Sequence, residues 1–337
     1  MGRAIVLGLD IGGANLKAAT PDGRAVSVPF ALWKQPDRLP TALAELVARF
    51  PDATELAVTM TGELCDCFET KRQGVNAILD ATEHAAAGRP VRVWGTDGAF
   101  HTVAEARANH LSVAAANWHS LATLAGRYAR DGGAMLIDIG STTSDLIPLR
   151  DGKPVPIGRT DMVRLSSHEL VYAGIRRTPV FAAVTEGVCA ELFATTADVY
   201  VVLGLAPEDP ADTDTANGRP LTVEDSLTRL ARVRGADREE LGDEELRDFA
   251  YEVHQRLRER LCEAARTAYS NATPNSHPRS VVVSGTGSFL ASQVAFYLTL
   301  GDPGAPRVVS LNDELGPQVS ACAPAYAVAV LAAEARA

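Results

Sequence analysis

Several things are scarce in this sequence, and each scarcity excludes something. There are five cysteines in 337 residues, too few for a disulfide framework in a chain of this length. Cys65 and Cys67 stand close together, but Cys-x-Cys is not the Cys-x-x-Cys spacing of a structural zinc site and no second pair follows. Reduced, structural thiols are expected. No run of 18 apolar residues occurs, so no membrane span is expected. Positive charge is in deficit: 32 Lys and Arg against 42 Asp and Glu give a net charge of −10, which argues against nucleic acid or an anionic membrane as a partner. The opening residues lead straight into a strand with no leader pattern, so the expectation is a soluble, cytoplasmic protein. With 46% hydrophobic and 22% charged residues, the composition is that of a globular chain.

What is present is a pattern that occurs twice. Ala134-Met-Leu-Ile-Asp138-Ile-Gly140-Ser141-Thr142-Thr143-Ser-Asp145-Leu-Ile-Pro148 reads as two apolar strands joined by a turn of glycine and small hydroxyl residues. Ala4-Ile-Val-Leu-Gly-Leu-Asp10-Ile-Gly12-Gly13-Ala-Asn15-Leu-Lys17 repeats the plan near the start. Each copy then runs to a hairpin signal, Asp22-Gly23 or Asp151-Gly152. Glycine lets the backbone turn sharply and approach a ligand, and successive exposed N–H groups make a nest for phosphate oxygens. Asp10 and Asp138 would repel bare phosphate. They make sense with Mg²⁺ between, an ion that takes a few carboxylates, keeps water and bridges to phosphate.

Along the chain, helical spacing predicts helices over Leu39–Phe50, Gly74–Ala87, His101–Arg107 and Ser112–Arg130, with strands at Glu55–Gly62 and Val91–Gly95. After the second hairpin a helix is expected over Ser167–Ala173, capped by Ser166, then a strand at Val199–Leu203 and a loop or lid at Ala206–Pro220. Amphipathic helices follow at Thr222–Val233 and Asp243–Tyr269. A buried strand, Ser280–Ser284, breaks into Gly285-Thr286-Gly287 ahead of a helix at Phe289–Thr299. A late strand at Arg307–Leu311 and a closing helix at Pro324–Ala335 complete the reading.

Three glycine turns, each after an apolar strand, together with the duplicated hairpin, resemble the actin-like ATPase superfamily. The resemblance implies an α/β, ribonuclease H-like fold of two duplicated subdomains with a cleft between them. The expected division is 1–130 with a returning helix at 320–337, and 131–319. It also implies that the first two turns are phosphate loops and that the third, Gly285 to Gly287, packs on a nucleoside. A narrower likeness lies in Val58-Thr-Met-Thr-Gly62-Glu63-Leu-Cys-Asp-Cys67, Thr70-Lys71, Ala116-Asn117-Trp118 and Glu169-Leu-Val-Tyr172-x-Gly174-x-Arg176-Arg177-Thr-Pro179. These segments resemble the hydantoinase/oxoprolinase-like proteins linked to one-carbon transfer on tetrahydromethanopterin.

That second resemblance implies a transferase of coenzyme biosynthesis. Its archaeal members join γ-glutamyltyramine, a phenolic amine, to an aminomethylfuran-methyl diphosphate, forming an aryl ether and releasing diphosphate. The catalytic set expected here is Asp10, Lys17, Asp138 and Asp145, with Asp10 and Asp138 holding Mg²⁺ and Asp145 as general base. Gly12, Gly13, Asn15, Gly140, Ser141, Thr142, Thr143, Gly285, Thr286 and Gly287 are the expected phosphate-binding residues. Glu63, Lys71, Arg72, Asn117, His119, Arg176 and Arg177 are expected to bind substrate, with His119 in reserve as the base. Two alternatives stand beside this reading: an ATP-dependent kinase or amidohydrolase-type activator, suggested by the third turn, and a non-catalytic regulator using the same cleft. The sequence leaves oligomeric state open.

Overall fold

Both copies of the hairpin form, and each opens a sheet of its own. The computed structural model describes residues 5–274, 276–298 and 307–336. In the first sheet β1 (Ile5–Ile11), β2 (Asn15–Ala19) and β3 (Ala25–Pro29) run antiparallel. β4 (Ala53–Met60) and β5 (Val91–Trp94) then add in parallel on the other side of β1, and β6 (Phe100–His101) closes the edge, giving the order β3-β2-β1-β4-β5-β6. The second sheet repeats the scheme with β7 (Gly133–Ile139), β8 (Ser144–Arg150), β9 (Lys153–Pro154), β10 (Leu170–Val171), β11 (Ser280–Ser284) and β12 (Arg307–Ser310), in the order β10-β8-β7-β11-β12 with β9 on β8. β1, β4, β7 and β11 are almost wholly buried, as the unbroken apolar runs of central parallel strands require.

Helices Leu39–Val47 and Lys71–Ala86 cover one face of the first sheet, and Asp243–Ala272 and Ser288–Leu298 cover one face of the second. Between the sheets lie Asn117–Ala125 and the late helix Ala323–Glu334. Trp118, Leu121 and Ala122 pack on Leu136 and Ile147, while Val328 and Ala332 pack on Val6 and Ala57. A Cβ on Gly8 would lie 1.9 Å from the Ala325 carbonyl oxygen, so only glycine allows this helix to rest directly on β1.

Three expected elements differ. Ser112–Arg130 is not one helix: His110–Val113 and Asn117–Ala125 are separated by Ala114–Ala116, where Ala115 takes φ +47°. Ser167–Ala173 is not a helix and Ser166 caps nothing. The helix is Asp161–Ser166, and the chain turns at His168 (φ +64°) into β10. Glu169 fixes this change, because its carboxylate accepts from Ile157 N (2.6 Å), Gly158 N (2.8 Å) and Ser167 Oγ (2.8 Å). Val199–Val202 belongs to the helix Thr196–Val202, with Leu203 just past its end. Its β-branched run suggests a strand, but Thr195 N donates to the Asp198 carboxylate (2.9 Å), and Asp198 is held by Arg229 (2.7 Å). Thr299 lies outside the described residues.

Candidate active site

The two hairpins end alike. The last paired residues are Ile11 with Leu16 and Ile139 with Ser144. This leaves the four-residue loops 12–15 and 140–143, each closed by its first N–H: Gly12 donates to the Asn15 carbonyl (3.1 Å) and Gly140 to that of Thr143 (2.9 Å). Among the described residues, the N–H groups of Gly13, Ala14, Ser141 and Thr142 have no backbone acceptor. Two pairs of unspent donors, with the hydroxyls of Ser141, Thr142 and Thr143 beside them, are the kind of groups from which an anion nest is built.

Each loop is braced by the glycine turn of the neighbouring parallel strand. Thr61 and Gly62 donate to the Ile11 carbonyl (2.9 and 3.0 Å), and Gly287 donates to the equivalent Ile139 carbonyl (2.8 Å). Gly285, at φ +88°, is so close that a Cβ would stand 2.7 Å from Asp138 Oδ1. The expected third turn is therefore part of the second loop's wall. Gly174 presses on the same loop: Ile175 N donates to the Gly140 carbonyl (3.0 Å), and Arg176 and Arg177 N donate to that of Ser141 (3.0 and 2.9 Å).

Asp10 and Asp138 sit at matching places, two residues before each loop begins, and the charge of Asp10 is felt at Asp138. Burial raises the Asp10 carboxyl, with Lys17 pulling it down. Asp138 is pushed up to about 6 by burial and by Asp145; Ser284 and Lys17 lower it, and Asp10 raises it. Ser284 Oγ is buried beside it without a well-formed hydrogen bond. Asp138 thus lies within electrostatic reach of both Asp10 and Lys17 of the first hairpin. Asp10 Oδ1 is buried and has no hydrogen-bond partner, a costly state for such an oxygen and one that a cation would relieve. No group of three or more His, Cys, Asp or Glu side chains converges among the described residues. Two carboxylates alone suit Mg²⁺, which keeps several waters, better than a cation that needs an all-protein cage.

Asp145 joins the site opposite Asp138 on β8, but its carboxylate is committed: Arg164 Nη2 donates to Oδ1 at 2.6 Å. Arg164 is 1% exposed and its guanidinium lies 4.1 Å from the centre of the Trp118 ring. Glu63 is 1% exposed, lies near Lys71 and Asp161, and has one buried oxygen without a partner. Burial lifts it to about 7, against the pull of its own backbone hydrogen bond and of Lys71. Lys71 reaches Asp161 at 3.8 Å, joining the two halves. His119 is buried near Trp94 and Trp118, and desolvation aided by Arg159 lowers it to about 4, so the imidazole stays neutral.

The remaining expected residues are more peripheral. Arg176 is held by Asp212 (2.5 Å) of the 206–220 loop. Arg72 is exposed and faces His110. Asn117 Oδ1 accepts from Trp118 N (2.7 Å), a local helix-start contact. Sequence reasoning missed Arg164, Asp161 and Trp33. The first two lie in a stretch to which the sequence assigned no element, and Trp33 carried no motif.

A family model described as hydantoinase/oxoprolinase matches residues 55–334. The chain belongs to the hydantoinase/oxoprolinase family. A relative from Methanocaldococcus jannaschii, 35% identical over 98% of both chains, is named (4-{4-[2-(gamma-L-glutamylamino)ethyl]phenoxymethyl}furan-2-yl)methanamine synthase. A protein of the same name from Methanococcus vannielii is 29% identical over 60% of this chain and 91% of its own. Both relatives are synthases, and this hydantoinase/oxoprolinase family member is an enzyme. Nucleotide-free acetone carboxylase superposes with a TM-score of 0.55 at 13% identity, covering 97% of this chain and 70% of that one. A putative N-acetylmannosamine kinase from Listeria monocytogenes gives 0.50 at 16% identity, covering 99% and 100%. At such identities these structures show the fold alone, the actin-like ATPase plan.

Proposed function

We propose that this enzyme joins the phenol oxygen of γ-glutamyltyramine to the methylene carbon of an aminomethylfuran-methyl diphosphate, releasing diphosphate, in the assembly of a methanofuran-type coenzyme. The observation that carries the reading is the relative matched over 98% of both chains, whose named product contains a phenoxymethyl link to a furan. The two like loops, with four unspent N–H donors, a buried Asp10 and a partly buried Asp138, support a diphosphate as leaving group. Nothing in this chemistry calls for ATP, which sets it apart from a kinase or an ATP-driven amidohydrolase.

The bond changes balance simply. The phenol oxygen bonds to the methylene carbon, the carbon–oxygen bond to diphosphate breaks with its electron pair on the diphosphate, and the phenol proton goes to a base. Mg²⁺ held by Asp10 and Asp138 would supply charge neutralisation for the departing oxygens. The N–H groups of Gly13, Ala14, Ser141 and Thr142 hold the diphosphate, and Lys17 adds positive charge beside it. With a pKa near 10, about 0.1% of the phenol is ionised at pH 7, a deficit of roughly 4 kcal/mol. A positioned base contributes about 10²–10⁴-fold. Glu63 suits this better than Asp145, because one of its oxygens is unpartnered while Asp145 is held by Arg164.

The test is incubation of the pure enzyme with both substrates and Mg²⁺, without ATP. Ether and diphosphate in equal amounts are expected by mass spectrometry and diphosphate assay. Absence of both overturns the reading.

A further inference from the structure

Beside the two hairpin loops lies a group that the diphosphate nest does not account for. Leu32 N donates to the Gly13 carbonyl at 2.9 Å, so the next residue, Trp33, is carried on the first loop. Arg177 N donates to the Ser141 carbonyl at 2.9 Å, so its side chain is carried on the second. The two side chains meet: the Arg177 guanidinium lies 4.8 Å from the centre of the Trp33 ring. Lys34 Nζ is 5.9 Å from the same ring. Trp33 is half-buried, and Arg177 and Lys34 are exposed.

An indole flanked by two cations, beside two anion-binding loops, suits a ligand whose planar ring and concentrated negative charge are close neighbours. Inorganic diphosphate has no ring to place there. γ-Glutamyltyramine keeps its carboxylate at the far end of a long chain from its ring, so ring and charge do not reach this group together. A furanylmethyl diphosphate has one methylene between ring and phosphate. We propose that Trp33 is the platform on which the furan ring of the diphosphate substrate stacks, with Arg177 leaving the indole face to reach the phosphate oxygens. This deepens the reading above and rests on it. The stacked ring fixes where the methylene carbon points, and a product diphosphate, lacking the ring, gains nothing from Trp33 and departs more readily. Alkyl diphosphates without a planar ring are selected against on the same ground.

The test is calorimetry with Mg²⁺ and two ligands, inorganic diphosphate and the aminomethylfuran-methyl diphosphate, on wild type, Trp33→Ala and Trp33→Phe, alongside wild-type turnover. The wild type is expected to bind the furan compound more tightly than inorganic diphosphate. Trp33→Ala is expected to weaken the furan compound by about 2- to 13-fold, the value of an aromatic stacking contact, with inorganic diphosphate unchanged, and Trp33→Phe to keep most of the affinity. The unchanged diphosphate affinity shows that the loops remain folded. Equal weakening of both ligands makes Trp33 a brace for the first loop and overturns the proposal, as does no weakening of either. Turnover to ether combined with either result removes this proposal alone. A wild type that makes no ether removes the functional reading and this proposal together.

Discussion

Lys17 and Asp145 hold the same position in two copies of one hairpin. Lys17 stands opposite Asp10 across β1 and β2, and Asp145 stands opposite Asp138 across β7 and β8. The first copy therefore carries a balanced pair and the second a doubled negative charge. Arg164, from a helix outside the repeat, restores the balance by binding Asp145 at 2.6 Å. The duplication supplied the backbone of the site twice, and the difference at this one position made the two halves electrostatically unlike.

Removing the Asp145 charge strands a buried guanidinium. Asp145→Asn is expected to cost about 3–5 kcal/mol of stability, read as a lower urea midpoint. Asp145→Asn with Arg164→Met is expected to recover much of that loss, because the orphaned charge goes too. If Asp145→Asn keeps the wild-type midpoint and loses turnover, Asp145 belongs to the chemistry and not to the support.

Glu63 couples pH to both stability and rate. Its folded value of about 7 lies above the ordinary 4.5, so the folded state keeps a proton that the unfolded chain releases. The stabilisation is full below about 4.5 and is lost as pH rises through about 7; the gap is worth roughly 3 kcal/mol. Glu63→Gln should therefore be more stable than wild type by about 2–3 kcal/mol at pH 8 and equal to it at pH 4, as thermal melts would show. As a base, ionised Glu63 makes kcat/KM rise with pH and level off above about 7. The Gln variant should lose that limb along with about 10²–10⁴-fold in rate.

Mg²⁺ and diphosphate should bind together and fade in acid. Asp138 is pushed up to about 6, and its proton competes with a cation, so the Mg²⁺-dependent affinity for diphosphate should fall as pH drops through that value. Asp10→Asn and Asp138→Asn should each abolish the Mg²⁺ dependence in calorimetry while leaving the melting temperature of the ligand-free protein unchanged or raised. Retention of that dependence in both variants would place the metal elsewhere.

Gly174 tests the second loop without touching a charge. A Cβ there would come 2.5 Å from the Gly140 carbonyl oxygen and 2.6 Å from Thr142 N, all of it backbone. Gly174→Ala should displace the nest and weaken diphosphate at least about tenfold, a loss of about 1.4 kcal/mol or more in binding. Unchanged affinity would show that the second loop does not hold the anion.

The hairpins, their carboxylates and the bracing turns were legible because each is local. An apolar strand, a glycine turn and a hairpin signal fall within a short window, and their repetition makes the pattern specific. Arg164 was not legible. Its partner Asp145 is 19 residues away, and the contact depends on a reversal at His168 that Glu169 fixes by accepting N–H groups from Ile157 and Gly158. The Val199–Leu203 run misled for a similar reason. Its β-branched residues favour a strand, while Asp198, paired with the distant Arg229, holds the start of a helix. Trp33 was overlooked because a tryptophan after a hairpin looks like core until the second loop brings Arg177 to it.

Helix Ala323–Glu334 resting on Gly8 has a consequence for how the molecule comes into being. β1 is translated before the helix that covers it, and the entire second sheet lies between them in the chain. During synthesis the strand carrying Asp10 must wait with one apolar face bare, a condition that invites aggregation and chaperone capture. Closure of this non-local contact is correspondingly slow, so the nascent first lobe cannot finish its interior before the second lobe has been made.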